Sequence, residues 1–224
     1  MRGPQSPPAR KLELFIKICG VTSPRDAELA VEVGADAIGV NLWPGSKRFV
    51  GDAAGRVLAA VPSGVLKVGV FVNAAYATVA AAISKLGLDR VQLHGDEPAE
   101  EFRHLDPEQV IRAVRVADQG SFAEQDRWRG RSGLFLFDAF VEGFGGAGVA
   151  APWELIARHA RRPFLLAGGL RPETVARAIT VTRPDGVDVA SGVESSPGVK
   201  DPAKLHTFVT AARAAAEESA APRH

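Results

Sequence analysis

The chain has 224 residues, 46% hydrophobic and 24% charged, and its formal net charge is +1. That balance excludes a disordered chain and the basic face that nucleic acids select, and no apolar run approaches the ~18 residues a membrane-spanning helix needs. A single cysteine excludes an internal disulfide, and the five histidines form no cluster at metal-ligand spacing, so the chain reads as a cytoplasmic protein whose partner is a small molecule.

The opening MRGPQSPPARK has charge and proline but no apolar segment behind it, and residues 1–12 read as a disordered leader. From there eight short apolar runs alternate with amphipathic stretches: LFIKICG (14–20), AIGVNLW (37–43), LKVGVFV (66–72), RVQLHG (90–95), VIRAVRV (110–116), GLFLFDA (133–139), FLLAGGL (164–170) and GVDVASG (186–192). Helix starts are signalled by Ser23-Pro24, by Asn73 and by Arg171-Pro172, and helix ends by Gly34 and Gly87. The helices after runs two, four and five are the weakest. Repeated strand–helix units over this length suit a single (β/α)8 barrel spanning residues 13–216, with eight parallel strands; a doubly wound open sheet is the structural alternative. Residues 217–224 read as a flexible tail.

In such a barrel, chemistry collects at the C-terminal ends of the strands. Cys19 ends run one, sharing its side of the strand with Lys17, while Ile16 and Ile18 face the other way. A lone cysteine is often a small core hydrophobe, but an inward thiol at a strand end, with a lysine beside it to favour the thiolate, suits a base. After run two, Lys47-Arg48 is either a solvated surface pair or a two-pronged grip for a carboxylate, with Arg48 the better fork. His94 ends run four and is equally readable as a buried structural histidine or a substrate-site residue. Asp138 ends the apolar LFLF run, where a carboxylate is costly to desolvate and is expected to hold its proton more tightly, as a general acid needs. The glycine-rich stretch 143–148 behind it suits a loop that closes over a ligand. Gly168-Gly169 after run seven either make a tight turn or, with Ser191-Gly192 after run eight, form an anion cradle at which following helices aim their positive ends. Asp188, inside run eight, reads like His94 in both ways.

The segments KICG (17–20), GSKRFV (45–50), VGVFVN (68–73), VQLHGDE (91–97), LFDA (136–139), GGAG (145–148), LAGGL (166–170) and VDVASGVESSPGVKD (187–201) resemble, in order, the phosphoribosylanthranilate isomerases of tryptophan biosynthesis. The resemblance runs from about residue 14 to about residue 210. It implies a cofactor-independent Amadori rearrangement of N-(5-phosphoribosyl)anthranilate to 1-(2-carboxyphenylamino)-1-deoxyribulose 5-phosphate. In that reading Cys19 is the general base and Asp138 the general acid. Arg48 grips the anthranilate carboxylate, and Lys17, His94, Gly145, Gly146 and Asp188 belong to the substrate site. Gly168, Gly169, Ser191 and Gly192 hold the phosphate, no metal takes part, and the chain is a monomer or a homodimer. The departures are Ala147 and Ala190, where the family often carries hydroxyls, and Ala151-Pro152 in place of an aromatic-acidic pair; they bear on affinity for the phosphate end. A different phosphate-binding barrel enzyme and a non-catalytic ligand-binding barrel are the competing readings, and the presence of both Cys19 and Asp138 weighs against the second.

Overall fold

A computed structural model describes residues 14–139 and 151–220. Eight parallel strands close into one barrel in chain order. They are β1 (Phe15–Ile18), β2 (Ala37–Asn41), β3 (Leu66–Phe71), β4 (Arg90–Leu93), β5 (Val110–Val116), β6 (Leu134–Ala139), β7 (Phe164–Leu166) and β8 (Gly186–Val189). Closure is made by β1 against β8, with Lys17 opposite Asp188. The open-sheet alternative is thereby excluded. All eight expected runs contain a strand, each ending one to four residues earlier than the apolar run, except β5 and β6, which reach the run's last residue.

The outer helices are α1 (Pro24–Glu32), α2 (Ala54–Ala59), α3 (Tyr76–Leu86), α4 (Glu124–Arg127), α5 (Trp153–His159), α6 (Val175–Thr182) and α7 (Pro202–Ala220). Ser23 caps α1 as expected, its hydroxyl accepting from the Asp26 amide at 3.1 Å, with Pro24 in the first turn. Gly34 and Gly87 take left-handed backbone at φ 92° and 61° beyond α1 and α3. Asn73 does not cap α3. Ala75 holds that position without a side-chain bond, while Asn73 sits at φ 52° and ties the third loop to the fourth through the Asp96 amide and the Glu97 carboxylate. Arg171-Pro172 likewise precede α6 by a turn, and Thr174 stands at its start.

The expected weakness after runs two, four and five is borne out in the short α2 and α4, and only 3-10 turns at Ala99–Phe102 and Pro107–Gln109 separate β4 from β5. On that flank buried charge does the work of an apolar helix face. Arg112, on the outer side of β5, bonds Glu97 at 2.7 Å, Glu124 at 2.7 Å and the carbonyls of Leu93 and Gly95, with Trp128 under its guanidinium. At the far end α7 remains helical through Ala220, so residues 217–220 of the expected tail belong to a helix. The expected leader and residues 221–224 lie outside the described residues, as does the 143–148 loop with Gly145 and Gly146.

Strand alternation divides the core into two layers. Ile16, Ile18, Val91, Leu93, Phe137, Leu166, Val187 and Val189 pack outward against the helices, while Ala37, Val68, Ile111, Ala113, Leu134, Leu136, Leu165 and Ala167 fill the interior. The same inward register carries Lys17, Cys19, Gln92, His94, Asp138 and Asp188, so the polar residues of the runs stand above the apolar plug. No helix among the described residues is long and apolar enough to cross a membrane.

Candidate active site

Lys17 is fully buried at the middle of this polar layer. Its ammonium donates to Asp188 Oδ1 at 2.7 Å and to Gln92 Oε1 at 2.9 Å, spanning the barrel from β1 to β8 and β4. Burial alone would push that ammonium down, but Asp188 and Cys19 outweigh it and hold Lys17 above the ordinary lysine range. Asp188 is therefore the counter-ion of Lys17, its Oδ1 engaged by the ammonium.

Cys19, 9% exposed at the end of β1, feels opposing influences. Desolvation raises its pKa and the Asp188 charge adds to this; the nearby cations of Lys17 and Lys200 pull it down, and the balance stays above the ordinary cysteine value. Space for the thiol comes from the neighbouring strand: a Cβ at Gly39 would stand 2.9 Å from Cys19 Sγ and 3.2 Å from Lys17 Cε. Asp138, at the end of β6, is similarly accommodated. A Cβ at Gly168, whose φ is +83°, would meet Asp138 Oδ1 at 2.8 Å and the Ala139 amide nitrogen at 2.6 Å. The surroundings of Asp138 are more polar than its LFLF run suggests, since the Ala139 amide donates to Oδ1 at 2.8 Å and His94 Nε2 lies 3.4 Å from Oδ2.

Arg48 is neither a solvated surface residue nor an unengaged fork. It is 8% exposed, and its Nε and Nη2 donate to the two oxygens of Glu194 at 2.7 and 2.6 Å. The bonds to Glu194 raise the Arg48 pKa. Desolvation acts to raise that of Glu194, but Arg48 and Lys200 reverse it, and its carboxyl lies below the usual carboxylate range. Glu194 belongs to a hairpin, β9 (Glu194–Ser196) and β10 (Val199–Lys200), inserted between β8 and α7. Lys200 on its second strand donates to the carbonyls of Cys19 and Ala190 and to Glu194, and Thr22 of the first loop bonds Gly198 O at 2.6 Å. The hairpin thus locks the first and eighth loops together around Cys19.

The residues expected to cradle an anion lie close together as well. Gly168 and Gly169 both adopt positive φ, and Gly192 lies so close to the seventh loop that a Cβ would fall 1.9 Å from Leu170 O. A 3-10 turn at Ser191–Val193 follows β8, and the helix expected beyond the eighth loop, α7, begins only past the hairpin.

Four residues around this mouth escaped the sequence reading. Gln92 carried a signal, a buried-register polar residue two positions before His94 in an apolar strand, and Gly39 carried another, a glycine inside a strand. Glu194 and Lys200 were visible only as charges in VESSPGVKD, and it takes the hairpin to bring them to Cys19 and Arg48.

The assembly matches known proteins along its whole barrel. The profile of the N-(5'-phosphoribosyl)anthranilate isomerase family covers residues 16–211. The isomerase of Myxococcus xanthus is 44% identical over 217 residues, covering 90% of this chain and 97% of the relative, and that of Roseiflexus sp. is 45% identical over 214 residues, covering 90% and 99%. Among solved structures, the Thermotoga maritima isomerase superposes with a TM-score of 0.83 at 38% identity, covering 90% of this chain and 99% of the other. An isomerase crystallised with reduced 1-(o-carboxyphenylamino)-1-deoxyribulose 5-phosphate superposes with 0.79 at 37% identity and the same coverage. With this barrel, and with profile and relatives agreeing over nearly nine-tenths of its length, the chain belongs to the phosphoribosylanthranilate isomerase family.

Proposed function

We propose that the protein isomerises N-(5'-phosphoribosyl)anthranilate to 1-(2-carboxyphenylamino)-1-deoxyribulose 5-phosphate, as a cytoplasmic monomer or homodimer serving tryptophan biosynthesis. The observation that carries the assignment of roles is that Cys19 and Asp138 stand at the ends of β1 and β6 in the inward register, each given its space by a glycine next door. Asp138 delivers a proton to the furanose ring oxygen as the C1–O bond breaks and the anthranilate nitrogen forms the C=N bond of a Schiff base. The Cys19 thiolate then removes the proton at C2, the electron pair forms the C1–C2 double bond of an enolamine, and tautomerisation gives the ketone. A thiol held above its ordinary pKa is a strong base present in small amount, and Lys17 and Lys200 supply the charge that steadies its thiolate.

The substrate's two ends have matching partners. Glu194 occupies the Nε–Nη2 edge of Arg48, which aims the Nη1 edge as the donor for the anthranilate carboxylate. Gly168, Gly169, Ser191 and Gly192 receive the phosphate, and Gly145 and Gly146 bind the substrate. The reading is supported by the relative crystallised with a carboxyphenylamino sugar phosphate. The test is the disappearance of phosphoribosylanthranilate fluorescence, with the substrate generated in situ from anthranilate. Purified protein should accelerate it; Asp138→Asn should abolish turnover while a reduced product analogue still binds, because the acid is used in the transition state more than in the ground state. Turnover by Cys19→Ser equal to that of the parent would overturn the assignment.

A further inference from the structure

Gln92 is 1% exposed and links Lys17 to His94 through the two ends of its amide. Its Oε1 accepts from the Lys17 ammonium at 2.9 Å, and its Nε2 lies 2.8 Å from His94 Nδ1. An ammonium has only donors, so the amide oxygen must turn toward Lys17 and the amide NH2 toward His94. A donor facing Nδ1 requires a lone pair there. In the neutral imidazole the proton is then on Nε2, the nitrogen that lies 3.4 Å from Asp138 Oδ2. His94 Nε2 is buried and makes no hydrogen bond among the described residues, so its proton has Asp138 Oδ2, 3.4 Å away, as a facing acceptor that it does not yet bond.

We infer that Gln92 is a positioning residue, which reads the Lys17 charge and transmits it as a single histidine tautomer, so that His94 presents an N–H donor to the acid Asp138. The inference rests on the proposed role of Asp138. During ring opening Asp138 passes from carboxylic acid to carboxylate, and a donor standing 3.4 Å from Oδ2 can close to a hydrogen bond with the form that appears in the transition state. With the opposite tautomer, a lone pair would face Oδ2 and oppose that change. His94 gains and loses no proton in this step. Its part is to hold the Asp138 carboxyl and favour its ionised product.

The expected tautomer is directly observable. Nitrogen-15 correlation spectra of the ligand-free wild-type protein, recorded about two units above the ordinary imidazole pKa of ~6.5, should give His94 the pattern of an Nε2–H ring. His94→Gln identifies the resonance. Gln92→Glu keeps the size of the side chain and its bond to Lys17 but offers His94 an acceptor, and should move the proton to Nδ1. In parallel kcat should fall roughly 10- to 100-fold, as for loss of an orienting partner, with KM changed less than about threefold. A wild-type His94 carrying its proton on Nδ1 overturns the inference whether or not any variant folds, and so does a Gln92→Glu protein with unchanged tautomer and kcat. Failure of the underlying reading looks different: Asp138→Asn would then turn over normally, whatever the tautomer of His94.

Discussion

At the scale of single residues, the Cys19 thiol is a compromise between desolvation and two nearby cations, and desolvation has the larger share in the ligand-free protein. Its alkylation by iodoacetamide should consequently be slow at neutral pH and still climbing at about pH 9, beyond the ordinary cysteine value of ~8.5. A rate that levels off below pH 8 would contradict this balance. Gly39 offers a second test. Alanine there places a methyl 2.9 Å from the sulfur, and backbone on β2 cannot retreat without disturbing its ladder to β1 and β3. Gly39→Ala is expected to lower kcat/KM by at least tenfold and to destabilise the fold by about 1–3 kcal/mol, the usual cost of overpacking, measured by urea unfolding. Cys19 and Asp138 were legible because each ends an apolar run, where a barrel exposes its chemistry. The partners that tune them come from other strands, and no local pattern links position 17 to positions 92 and 188.

At the scale of elements, the hairpin after β8 is the addition that completes the site. Its bidentate bond leaves one edge of Arg48 for a ligand, so Glu194→Gln should weaken substrate binding more than turnover, with KM up roughly tenfold and kcat within about threefold, as befits loss of a charge-assisted fork. An equal fall in kcat at constant KM would place Glu194 in the chemical step instead. The flank between β4 and β5 makes a different kind of demand. Arg112 there has Glu97 and Glu124 as buried partners, and Arg112→Met strands both carboxylates; the loss should be about 3–5 kcal/mol in chemical denaturation, with the mouth chemistry intact in the surviving folded fraction. The weak helix signals of this flank were readable in the prolines and charges of DEPAEEFRHLDPEQ. That an arginine would take over the helix's packing role was not, because it depends on residues from the fourth and fifth loops meeting one outward position of β5.

At the scale of the whole molecule, buried charge makes stability depend on pH. Glu194 has a folded pKa below its ordinary one, so its contribution is fully present above the unfolded carboxylate value of ~4.3 and is lost as pH falls through the lower folded value. Comparing urea unfolding of the wild type with Glu194→Gln from pH 7 downward should give a difference that is constant at neutral pH and shrinks only below about pH 4. A difference that instead grows toward acid would reverse the assigned sign.

The succession of apolar runs and amphipathic stretches determined by itself that this chain builds a parallel sheet from eight strand–helix units, because period and run length report which faces are buried; barrel and open sheet both fit that pattern, and in a barrel strand-end position marks Cys19, Asp138 and the glycines of the seventh and eighth loops. Tertiary structure alone decided the rest: that Asp188 is spent on Lys17, that Arg48 is held by Glu194, that Gln92 spans the space between a lysine and a histidine, and that glycines on neighbouring strands leave room for the thiol and the acid. The physical reason is closure. Lys17 and Asp188, 171 positions apart, come within 2.7 Å only when β8 returns to β1, and a linear pattern has no means of expressing a contact that the last strand makes with the first.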